Sequence, residues 1–190
     1  MKRTIRVFAC VFCIGALGAC SHKDANAPLS YVPADTPYVT ANLEPLPADM
    51  RTQLLKQADT QLPMQVTQLR HAAKAVDKGN AHAADLLNAL ADEFDGRTVE
   101  QFAKRIGIDP KALYAAYGVG LSPVMRVQIA DTAAFQAFIG RMEKAWGTPL
   151  QTTRLGGIDY RHVRLGQLKL EFVVAVEKKQ AVLAVLPIDA

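Results

Sequence analysis

Half of this 190-residue chain is apolar and about a fifth is charged, which suffices for one domain with a sizeable core or for two small ones. Its net charge of +4 comes mostly from Lys2, Arg3 and Arg6: setting those three aside, 19 of the 22 basic residues remain against 18 acidic ones, a surplus of one. That balance leaves no basic footprint for nucleic acid in residues 20–190.

The first nineteen residues read as a secretory leader. Lys2, Arg3 and Arg6 form a positive start, Val7 to Leu17 is an apolar run of about eleven residues, and small residues follow. The run is well short of the roughly 20 residues a spanning helix needs. Leu17-Gly18-Ala19-Cys20 closes it, and this stretch resembles the lipobox of bacterial lipoproteins. The resemblance implies cleavage before Cys20 and acylation of its sulfur, with Leu17, Gly18 and Ala19 as the recognition residues. It also implies membrane lipid as a partner. Ser21, rather than Asp, follows the Cys. The resemblance then implies an outer-membrane anchor facing the periplasm rather than inner-membrane retention. Cys10 and Cys13 lie in the apolar run and leave with it. Their Cys-x-x-Cys spacing has no βαβ context for redox chemistry, and no internal disulfide is expected.

Residues 20–36 contain Pro28 and Pro33 and little that packs, so they read as an extended tether. Pro37 to Leu43, with Tyr38, Val39 and Thr40, reads as a first strand that opens a domain over 37–190. Helical patterns follow over 47–57, over 63–77 through Val66, Leu69, Ala73 and Val76, and from Ala83 to the stop at Asp95-Gly96. Thr98 and Gln101 form a capping box for a helix ending at Gly107, and Asp109-Pro110 suggests a second short helix through Tyr117. Helix, glycine turn and helix resemble a DNA-binding helix-turn-helix. However, Pro110 to Tyr117 offers only Lys111 as a cation and no side chain to read a base edge. The expectation is an αα-corner and no nucleic-acid partner.

The period then changes. Val124 to Ile129 reads as a strand, Asp131 caps a helix to Trp146-Gly147, and Gly156-Gly157 marks a turn. Strands follow at 158–165, at 168–176 in clean alternation, and at 181–186 as a continuous apolar run expected in the middle of a sheet and covered on both faces. The fold class expected is α+β: an antiparallel sheet with a segregated helical layer, after a signal helix and an extended tether. An apolar strand followed by only four residues is also the pattern of a chain cut from a longer parent. Val32-Pro33-Ala34-Asp35-Thr36-Pro37-Tyr38-Val39 resembles the start of the mature domain in a family of uncharacterised proteobacterial lipoproteins. There the stretch like Val124 to Trp146 recurs, and the resemblance implies a longer, two-part lipoprotein with no assigned activity.

Reactive chemistry has few candidates. His22, His71, His82 and His162 lack metal-ligand spacing and read as solvated, and Asp92, Glu93 and Asp95 read as an acidic helix face. No cofactor is implied. Arg161, His162 and Arg164 form the densest basic group besides Arg154, with His162 and Arg164 on one strand face and Arg161 on the other. They are the candidate binding residues, for phosphate, lipid head groups or peptidoglycan acids. No catalytic constellation is visible. The function expected is non-enzymatic binding or envelope support with envelope protein partners. The competing reading is a periplasmic hydrolase with dispersed catalytic residues.

Overall fold

A computed structural model of the protein describes residues 27–166 and 169–188. The leader, the lipobox residues Leu17, Gly18, Ala19 and Cys20, and His22 lie outside the described residues. The fold is α+β. A single 3-10 turn at Pro28–Tyr31 precedes β1 (Val39–Ala41), α1 (Ala48–Val76), α2 (Ala81–Phe94) and α3 (Val99–Arg105). There follow β2 (Tyr114–Val119), β3 (Ser122–Gln128), α4 (Thr132–Trp146), β4 (Gln151–Leu155), β5 (Ile158–Leu165), β6 (Leu170–Glu177) and β7 (Gln180–Pro187). No helix among the described residues is long and apolar enough to cross a membrane.

The seven strands form one sheet in the order β1-β2-β3-β7-β6-β5-β4, and every neighbouring pair is antiparallel. β7 is therefore central, as its unbroken apolar sequence suggests. Alternation along the strands divides the side chains between two faces. On one face Val127, Ile129, Val174 and Ala181 pack with Phe135 and Ile139 of α4 to form the main core. α4 in turn packs on α2, and α2 on α1. Among the described residues no α-helix packs on the opposite face, so β7 has a helix over one side only. One row there runs Val39, Tyr117, Val124, Ala184, Val173, His162, Gln151; the next runs Ala41, Ala115, Arg126, Val182, Ala175, Tyr160, Thr153.

Part of this second face is covered by the chain's own N-terminal segment. Val32 packs on the cluster of Ala115, Tyr117 and Val124, and the Tyr31 ring lies 4.1 Å from the Arg126 guanidinium carbon. Pro28 is fully buried. Thr36 Oγ1 donates to the Gly118 carbonyl at 2.7 Å and accepts from the Gly118 N–H at 3.1 Å. Pro28 to Thr36 thus pack on the sheet although composition assigns them to a tether, because Tyr31 and Val32 find apolar and cationic surface on β2 and β3.

Three elements differ from the sequence pattern. The expected helices over 47–57 and 63–77 are one helix that continues through Pro63. Burial of Leu62 and Val66 on either side of the proline outweighs its lost hydrogen bond. The expected helix over 110–117 is instead a turn at 110–111 leading into β2, so neither a helix-turn-helix nor an αα-corner exists there. Pairing with both β1 and β3 buries Ala115 and Tyr117 at a strand spacing and overrides local helix signals. β4 carries Gln, Thr, Thr, Arg and Leu, all exposed, and its edge position leaves no apolar alternation to recognise.

Candidate functional site

β5 places the three candidate binding residues as alternation dictates. Arg161 points to the helical side, where its guanidinium meets Glu143 of α4 at 3.1 Å. His162 and Arg164 share the open face, so the group is split between two environments.

On the open face the Gly156–Gly157 turn, with φ of 59° and 83°, joins β4 to β5 as a two-residue hairpin and fixes their register. That register sets Thr153 opposite Tyr160 and diagonal to His162. Thr153 Oγ1 lies 3.0 Å from His162 Nε2, and His162 Nδ1 lies 2.7 Å from Glu171 Oε1 on β6. Arg164 Nε donates to the same Glu171 oxygen at 3.2 Å. The Tyr160 ring stands 5.6 Å from the imidazole. His162 is only 7% exposed, which corrects its reading as a solvated histidine: it is enclosed by neighbours on three strands and hydrogen-bonded at both nitrogens. Burial pushes the Glu171 carboxyl up, but hydrogen bonds from Arg164 and His162 outweigh it and hold the carboxyl below its ordinary value.

Hydroxyl, imidazole and carboxylate in series form the connectivity of an activated nucleophile. The same connectivity also ties three strands together on a face that no described α-helix covers. Neither Thr153 nor Glu171 stands out in the sequence as a partner of His162. Glu171 is visible only as the polar half of an alternating strand, and Thr153 belongs to an edge strand with no pattern.

Three other ionic groups join elements of the fold. Glu93 is 4% exposed and receives Arg105 Nε at 2.6 Å and both Nε and Nη2 of Arg141, so it is no part of a solvated acidic face. Asp92 and Asp95 beside it hold Arg70 at 3.0 and 2.8 Å. Arg126 reaches Glu177 at 3.2 Å beneath Tyr31. His71 and His82 are exposed on α1 and α2. Among the described residues no three His, Cys, Asp or Glu side chains are grouped to hold a metal ion. Comparison with models of known protein families, with curated proteins and with solved structures finds no match to this chain.

Proposed function

We propose that this chain is a lipoprotein module, anchored through acylated Cys20 on the periplasmic side of the outer membrane, that serves by binding or by structural support rather than by turnover. The observation that carries the non-enzymatic half is ionic. Each of the three candidate basic residues already meets a carboxylate of the fold: Arg161 meets Glu143, while His162 and Arg164 share Glu171. Such matched pairs order a sheet and its helix, and they leave little free charge to act on a substrate. The anchoring half is supported by Leu17-Gly18-Ala19-Cys20 behind a basic and apolar leader. Covalent lipid on one Cys in two or three chains gives stable attachment where one chain gives only marginal binding.

Palmitate labelling with membrane fractionation tests the anchor. Label in the outer-membrane fraction that disappears in Cys20→Ala supports the reading; unlabelled, soluble wild-type protein overturns it. The hydrolase reading is kept by one observation, the Thr153–His162–Glu171 series. Its test is hydrolysis of activated p-nitrophenyl esters by the purified protein. Turnover lost in both Thr153→Ala and His162→Ala establishes an enzyme, and a wild-type rate equal to buffer supports the binding reading.

A further inference from the structure

Pro28 is among the most deeply buried side chains of the protein, and the turn it opens lies on β2 and β3. Tyr31 over Arg126 and Val32 on Ala115, Tyr117 and Val124 place that turn on the face of the sheet opposite α4. With the lipid on Cys20, the reading on which this inference rests, the placement fixes an orientation. From residue 20 to residue 28 an extended chain covers at most about 3.6 Å per residue, so Pro28 lies within roughly 30 Å of the anchor. Such a short connection starting on the open face cannot readily carry the lipid around the sheet and past the helices, each of them about 10 Å across.

We propose that the open face of the sheet is the side this protein turns toward the membrane, and that its partner there is the phospholipid headgroup surface. The charges of the face suit phosphate-bearing headgroups. The acidic side chains that the described strands place on this face, Glu171 and Glu177, are neutralised by Arg164 and Arg126. Arg164 is matched to Glu171, so the positive surplus of the face comes from Lys178 and Lys179 on the exposed β6–β7 hairpin that bounds it. Between them lie the small aliphatic side chains Val173, Ala175, Val182 and Ala184, which offer no competing negative charge. A surface of this sign within a Debye length of phosphates is attracted to them, and the attraction weakens with salt.

The test uses the full lipidated protein in vesicles of phosphatidylethanolamine and phosphatidylglycerol. With Cys20 acylated and Cys10 and Cys13 removed with the leader, an introduced cysteine is the sole free thiol. Val119→Cys and Gln151→Cys place a fluorophore at exposed positions of the open face, and Ala137→Cys places it on the outer side of α4. Energy transfer to a headgroup-attached acceptor is expected to be at least twofold more efficient from 119 and 151 than from 137. Equal transfer, or stronger transfer from 137, overturns the proposal. A twenty-residue Gly-Ser spacer inserted after Asn26 separates headgroup contact from tethering. A difference that persists at low salt and fades at high salt supports contact. A difference lost at low salt overturns it, leaving the face free for a protein partner. Mass spectrometry of the N-terminal peptide reads the anchor independently: an unmodified Cys20 overturns the lipoprotein reading itself, whereas lipid on Cys20 with 137 nearest the bilayer overturns only the orientation.

Discussion

Arg141 on α4 grips both carboxylate oxygens of Glu93 on α2, which Arg105 on α3 also engages. One buried carboxylate thus ties three helices together. Burial alone pushes the Glu93 carboxyl up, but the hydrogen bonds from Arg141 and Arg105 more than reverse this, and it titrates below its ordinary value. A folded pKa below the unfolded one means that Glu93 contributes its full stabilisation above the ordinary carboxylate range and loses it as pH falls toward the folded value. Glu93→Gln is expected to cost about 2–3 kcal/mol at neutral pH, less than a fully buried pair because both arginines reach solvent. Urea denaturation from pH 7 down to about pH 3 checks this: the gap between wild type and variant narrows with acid.

Gly107 closes α3 with φ of 77°, and its carbonyl accepts the N–H groups of Ala130 and Asp131 at the start of α4. A Cβ built there falls 2.1 Å from the Asp131 carbonyl oxygen, which is backbone and cannot swing away. Gly107→Ala is expected to destabilise by at least about 3 kcal/mol, combining left-handed strain with the clash. A thermal melt that matches wild type within a degree would refute this account of the α3–α4 corner.

Pro63 sits exposed in the interior of α1 and removes one helical hydrogen bond. Replacement by Ala restores the N–H donor without disturbing the contacts of Leu62 and Val66. The expected gain is about 1–3 kcal/mol, the upper end being the full interior penalty of proline. An unchanged or lower melting temperature would show that the proline bends α1 into its packing with α2.

His162→Ala is expected to destabilise by about 2 kcal/mol, because it removes both the packing of a buried ring and the hydrogen bonds to Thr153 and Glu171. Thr153→Val removes only one bond, near an exposed edge, and is expected to cost about 1 kcal/mol or less. Urea midpoints rank the two. A larger loss for Thr153→Val would place the weight of the series on the hydroxyl rather than on the imidazole.

Local chemistry made part of the fold legible. Asp131 accepts the Ala134 N–H, and Thr98 with Gln101 closes a reciprocal capping box, as their spacings indicate. The alternation of Leu170, Phe172, Val174 and Val176 marks β6 for the same reason. Long-range causes were not legible. Tyr114 to Val119 is a strand because β1 and β3 flank it, and the burial of Glu93 depends on two arginines that lie far away in sequence. At the candidate site, the split of Arg161 from His162 and Arg164 followed from strand geometry alone. The enclosure of His162 required β4, an edge strand whose polar residues carry no pattern.

The central place of β7 has a kinetic consequence. This strand comes later in sequence than the other six, yet it joins β3 to β6. During synthesis β1, β2 and β3 can pair with one another, but until residues 180–187 emerge they have no edge to connect them to the β4–β6 meander. The loop between β3 and β7 spans α4 and three strands, and its closure entropy is met before the central pairings reward it. The sheet therefore closes cooperatively, with β1–β3 and β4–β6 remaining two separate antiparallel groups until β7 supplies their shared middle.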